Sequence, residues 1–182
     1  MIRRSRVVLL LGTSLVLLAG CGSSGTASTT TTSASTTSTT AAGGSTTSTA
    51  ANGTPAFYEV HTGTVAGLGT VLVNGPGNTL YLFEPDKQSG SSTCYGACAQ
   101  GWPPLLLPSG VTTPVTGAGV KSSLVGTTHR TDGTVQITYN KWPLYLWVGD
   151  SQPGQATGQA LNNLGGLWYV LSPDGKAITT KP

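Results

Sequence analysis

Beyond residue 55 the hydrophobic positions recur with a period of two. Val71 and Val73 alternate with Thr70 and Leu72, and Val135, Ile137 and Tyr139 alternate with Thr134, Gln136 and Thr138, the pattern of half-buried strands. Asn74-Gly75 after the first run and Asp132-Gly133 before the second are strong turn signals. Residues 79–83 and 144–148 are apolar at both parities, which predicts returning strands buried on both faces. A last hairpin is predicted over 167–171, turning on Ser172-Pro173-Asp174-Gly175 and returning through 176–180. Residues 58–65 and 124–130 add two candidate strands. No stretch sustains a 3.6-residue period, and at most 94–100 and 159–164 make a helical turn. The expectation is an all-β domain, a small sandwich or barrel.

The pattern also repeats at long range. Displaced by 64 positions, Gly69-Thr70-Val71 recurs as Gly133-Thr134-Val135 and Leu80-Tyr81-Leu82 as Leu144-Tyr145-Leu146. At the same offset Asp86 matches Asp150, Gln88 matches Gln152 and Gly90 matches Gly154, without a gap. Trp102 pairs with Trp168, and Pro108 with Pro173, at slightly larger offsets. The globular part, 55–182, therefore reads as two tandem repeats, about 57–110 and 122–182, packed on each other.

A different pattern precedes it. Residues 7–18 are apolar except Gly12, Thr13 and Ser14, and follow Arg3, Arg4 and Arg6, the layout of a secretory signal over 1–20. Twelve residues at 1.5 Å each reach about 18 Å, short of the roughly 30 Å hydrocarbon core, so a membrane-spanning anchor is the weaker reading. Leu18-Ala19-Gly20-Cys21 resembles the bacterial lipobox, which implies that Cys21 carries fatty-acyl chains (palmitate among them) as the first residue of the mature protein. Two or three such chains hold a protein firmly on a membrane. In the linker, 22–54, 21 of 33 residues are Ser or Thr and none is charged or aromatic. Such a segment cannot offset its ordering entropy and is expected to be a disordered tether spanning about 30–35 Å. A glycosylated stalk is an alternative for it; Asn52-Gly53-Thr54 spells an N-glycosylation sequon and is read as chance.

Charge narrows the classes. Without the three leader arginines, six cations face six acids, so no cationic patch exists to bind nucleic acid. Only 8 % of residues are charged, and three cysteines are too few for a disulfide-dense miniprotein.

Tyr81-Leu82-Phe83-Glu84-Pro85-Asp86 and Tyr145-Leu146-Trp147-Val148-Gly149-Asp150 both spell Tyr-x-[Phe/Trp]-x-x-Asp. In these, and in Ser92-Thr93-Cys94-Tyr95-Gly96-Ala97-Cys98 followed by Trp102-Pro103-Pro104, the chain resembles bacterial predicted lipoproteins built on that repeated motif, also described as secreted repeats of unknown function. The resemblance covers 69–173. It implies an extracytoplasmic cell-envelope lipoprotein and brings no established activity, cofactor or catalytic residue.

Candidate chemistry is sparse. Tyr81 and Phe83, and Tyr145 and Trp147, each share a strand face. They form either an aromatic core ladder, with Asp86 and Asp150 closing the following turns, or a platform for a sugar or quinone ring; the ladder is favoured. Cys94 and Cys98 are read as a disulfide, since they are the thiols left once Cys21 is acylated. Haem attachment fails because Ala99, not histidine, follows Cys98. A copper site on the two cysteines with His61 or His129 as third ligand is the alternative. No nucleophile elbow, zinc-protease motif or phosphate loop occurs. Asp86 with Asp150 as a glycosidase pair is the one catalytic option. The reading is a non-enzymatic binding or scaffolding lipoprotein on the outer face of the cell membrane, without cofactor or bound metal, its partners an envelope protein or cell-wall glycan. A redox or metal-handling role at Cys94/Cys98, then a wall-glycan hydrolase, are the alternatives.

Overall fold

The computed structural model describes residues 55–181. The signal segment, Cys21, the linker and the Asn52 sequon lie outside the described residues. The architecture is all-β, in three small open sheets with no closed barrel among the described residues. The strands are β1 (Glu59–Val65), β2 (Gly69–Asn74), β3 (Tyr81–Phe83), β4 (Val115–Thr116), β5 (Val125–His129), β6 (Val135–Tyr139), β7 (Trp142–Pro143), β8 (Asn162–Asn163) and β9 (Gly166–Val170). One helix of five residues, α1 (Ala97–Gly101), overlaps the first predicted helical turn.

The sheets run β2-β1-β4, β3-β9-β8 and β5-β6-β7. β1–β2 and β5–β6 are the matching antiparallel hairpins of the two repeats. β6–β7 and β8–β9 also lie within the second repeat, and β1 takes β4 from the connecting segment, but the pairings of the two motif strands cross between repeats. β3 pairs with β9, Tyr81 opposite Val170 and Phe83 opposite Trp168. Reciprocally, the second motif strand lies against residues 103–105, Leu105 N–H donating to Leu144 O and Leu146 N–H to Pro103 O. Leu72 N–H donates to Leu171 O, and Ile137 N–H to Leu105 O. Tyr81 and Tyr145 exchange both backbone hydrogen bonds with each other, at 2.9 and 3.0 Å, where the two halves meet. Each repeat thus completes the other's sheets.

This interleaving corrects two expectations. β2 and β6 are buried on both faces from Val71 and from Gln136 onward, rather than half-buried, because β2 lies between two cores and β6 lies between the second core and buried polar contacts of Gln136 with Arg130 and Leu144 O. One core is largely aromatic and takes Val71, Val73, Tyr81, Phe83, Trp102, Tyr145 and Trp168. The other is aliphatic apart from Tyr139 and takes Leu72, Leu80, Leu82, Leu105, Ile137, Leu144 and Leu171. Second, the 64-residue register is not gap-free in space. Thr62 faces Leu72 and Thr127 faces Ile137, so the hairpins superpose at an offset of 65. The offset returns to 64 because three residues, 75–77, connect Asn74 to its partner Asn78, whereas two, Asn140 and Lys141 at positive φ, connect Tyr139 to Trp142. The predicted strand at 144–148 is held by bridges at Tyr145 rather than as a regular strand. The terminal turn is as expected: Gly175 N–H donates to Ser172 O, and Leu171 bridges Ala177.

Candidate functional site

The motif residues converge where the repeats meet. Tyr81 donates its hydroxyl to Asp150 Oδ2 at 2.6 Å, and Tyr145 donates to Asp86 Oδ2 at 2.7 Å. Each tyrosine reaches the aspartate of the other repeat. The second carboxylate oxygen is held locally. Asp86 Oδ1 accepts from Thr93 N–H and Oγ1, and Asp150 Oδ1 accepts from Thr157 N–H and Oγ1, each seven residues on. The expected turn closure by Asp is therefore real, and the tyrosine partner is what the sequence did not reveal. With both oxygens of both carboxylates engaged, neither is placed as a free acid or base beside the other.

Burial, then the neighbouring carboxylate, pushes both tyrosine hydroxyls far above their ordinary range, so they stay protonated donors. Burial also raises Asp86 above the ordinary 3.8, against the pull of Thr93, Tyr145 and Arg130. A raised native pKa means that the folded state binds the proton more tightly. The contribution of Asp86 is thus fully present below pH 3.8 and lost as pH rises through its native value. Thermal melts of the protein and of Asp86→Asn should show their Tm difference moving in favour of the parent as pH falls below neutral. A difference that does not change with pH would contradict the raised value.

The rings form one stack. Phe83 lies on Trp168 at 4.1 Å, Trp168 on Trp102 at 3.9 Å with an interplanar angle of 1°, and Trp102 on Trp147 at 4.3 Å. Every contact in the stack crosses between repeats. Tyr81 meets Trp102 edge-on at 5.2 Å and Tyr145 meets Trp168 in the same way at 5.2 Å, the preferred geometry for such pairs. All of these rings but Trp147 are buried, so they make a core ladder and not an open platform. Gly158 closes on this stack, since a Cβ there would stand 2.6 Å from Trp102.

Cys94 and Cys98 form a disulfide with Cα atoms 5.2 Å apart, bridging the start of α1. Cys94 O accepts from Arg130 Nη2 at 2.8 Å. Arg130 is 4 % exposed, and its guanidinium also donates to Ser92 Oγ, Gln136 Oε1 and Asp132 Oδ2 while lying 4.3 Å over the Tyr95 ring. Ser92 in turn bonds the Tyr145 hydroxyl, so one polar network runs from the disulfide loop to the Tyr145–Asp86 pair. The one signal for Arg130 was that it is the sole arginine beyond residue 6. A fork of five donors can satisfy such a site where lysine cannot. Cys94→Ser/Cys98→Ser is expected to remain folded and lose about 2 kcal/mol in denaturant melts, as a short loop restrains the unfolded chain only modestly. A measured potential near −200 mV with rapid exchange would instead favour the redox reading.

His61 Nε2 lies 2.6 Å from Asn74 O, across the β1–β2 hairpin, and His129 is exposed on β5. Among the described residues no three His, Cys, Asp or Glu side chains gather as a metal site, so neither histidine forms such a set with the cysteines.

Among the described residues no helix is long and apolar enough to cross a membrane. Neither a curated protein nor a solved structure matches the chain. The family model described as "Secreted repeat of unknown function" matches twice, over 64–106 and 126–172. Each match contains one Tyr-to-Asp motif, and the stacked tryptophans are divided between them, Trp102 in the first and Trp147 and Trp168 in the second. By these two copies the chain belongs to the family of secreted repeats of unknown function.

Proposed function

We propose that the protein is a lipid-anchored, extracytoplasmic binding or scaffolding module with no catalysis of its own. It is held on the outer face of the cell membrane through acylated Cys21, and it meets an envelope protein or a cell-wall glycan. The observation that carries this is the use of the motif side chains. Tyr81, Tyr145, Asp86 and Asp150, which could have served a reaction, are bonded to one another and to Thr93 and Thr157 inside the join of the repeats. Such a site supports rigidity rather than turnover. The Ser/Thr-rich segment supplies reach between lipid and domain.

Replacing Cys21 with alanine tests the anchor. The variant should be unprocessed or released, should lose its acyl chains by mass spectrometry and should no longer partition into detergent. If it is still acylated and membrane-bound, the anchor is elsewhere.

A further inference from the structure

The two-fold relation is broken at one surface feature. A cleft of about 470 Å³ lies beside the connection between the repeats, lined by Tyr58, by Thr112, Thr113 and Thr116, and by Ser122. Its apolar lining includes Val115 on β4 and Val125 on β5. All of these residues fall outside the two family matches, which stop at 106 and resume at 126. The segment between the repeats supplies six of the nine lining residues, 111–116, and the ends of the repeats supply Tyr58, Ser122 and Val125, the usual placement of a site grafted on a fold.

Its chemistry is narrow. No charged side chain lines it. Among the described residues, the five hydroxyls of Tyr58, Thr112, Thr113, Thr116 and Ser122 make no hydrogen bond to another protein group, whereas those of Thr93, Thr157, Tyr81 and Tyr145 are all engaged. The cleft falls within the roughly 300–1,000 Å³ of small-ligand sites. A charged ligand would lose hydration here with no counter-charge to replace it. Of the two edge strands at the cleft, β5 reaches it only through its first residue, Val125, so a peptide strand would have to extend β4. That strand is two residues long and follows Pro114, which has no N–H, so little ladder is available.

We infer that this cleft binds a neutral saccharide, a segment of an uncharged glycan of the envelope. Tyr58 and the valines supply surface for the C–H face of a sugar ring, and the free hydroxyls exchange hydrogen bonds with its hydroxyl groups. The inference rests on the reading of the domain as a binding module and names its ligand class.

The test is a titration of the full chain, in zwitterionic detergent, with trimers of N-acetylglucosamine, glucose, galactose and arabinose up to about 10 mM, enough to reveal a dissociation constant near 1 mM. Backbone NMR should show saturable shifts confined to residues around 58, 111–116 and 122–125 with at least one trimer. Thr113→Val and Thr116→Val, which keep shape and remove a hydroxyl, should each weaken binding about three- to tenfold without changing the melt. Tyr58→Ala should weaken it further. No saturable shift with any trimer, shifts unaffected by the threonine variants, or shifts there with an uncharged valine/threonine peptide and not with the sugars would each overturn the inference. Cleavage of a trimer bound at these residues would keep the site and sink the non-enzymatic reading, so the two failures are distinct.

Discussion

Tyr81→Ala and Tyr145→Ala are each expected to destabilise the domain by about 3–5 kcal/mol, the cost of emptying a fully buried aromatic site. Both rings are 0 % exposed, and each packs edge-on against a stacked tryptophan. Against a total stability of about 5–15 kcal/mol, either variant would lose a large share of it. The phenylalanine variants separate ring from hydroxyl. Tyr145→Phe deprives Asp86, 1 % exposed, of its Oδ2 donor. Tyr81→Phe does the same to the more accessible Asp150. An unpartnered buried acceptor costs about 1–3 kcal/mol, so Tyr145→Phe should be the worse of the two. Denaturant melts of the four variants check the order. Alanine variants within 1 kcal/mol of the parent would mean that the rings are not core.

The second large effect is expected from cutting the chain between the repeats, after Gly119. Neither half should fold alone. Without β9, β3 has no partner, and without residues 103–105 the second motif strand has none. The stack loses every one of its contacts, because Phe83 and Trp102 come from the first half and Trp147 and Trp168 from the second. Mixed in equal amounts, the halves should regain the near-ultraviolet signal of the stacked indoles. Cooperative unfolding by either half on its own would show that the exchange of strands is dispensable.

Much of the scaffold was legible in the chain. β2, β6 and the Ser172-Pro173-Asp174-Gly175 turn follow from period-two runs and turn residues, which are local properties. The shared face read for Tyr81 and Phe83 is real, and in the structure it meets one core while Leu80 and Leu82 enter a second that the sequence did not show. The failures share a cause, which is that pairing is non-local. Tyr81 and Asp86 lie in one motif, so the sequence suggested one unit; the bond runs to Asp150 because the halves interlock. Gly-Thr-Val matched itself at 64 by residue identity, while hydrogen bonding aligned the hairpins at 65, with turn length absorbing the difference. β4 was invisible because Val115 and Thr116 sit between a proline and a glycine, and only Glu59 and Val60 opposite make them a strand. For the site, Cys94–Cys98 was readable from thiol count and compartment, whereas the polar network of Arg130 was not, since its partners come from both repeats.

That network has a further consequence. At the 65-residue offset of the hairpins, Arg130 and Gln136 occupy the places that Val65 and Val71 hold in the first repeat. A guanidinium donating to a side-chain amide oxygen on one side thus stands where two methyl-bearing side chains stand on the other. Two identical chains joined about a symmetry axis could never differ in this way, because any substitution would be felt twice, and a buried guanidinium would need its partners at both places. Joining the copies in one polypeptide lifts that restriction. One half can keep an oily hairpin while its twin becomes polar, and each can be altered without the other having to follow.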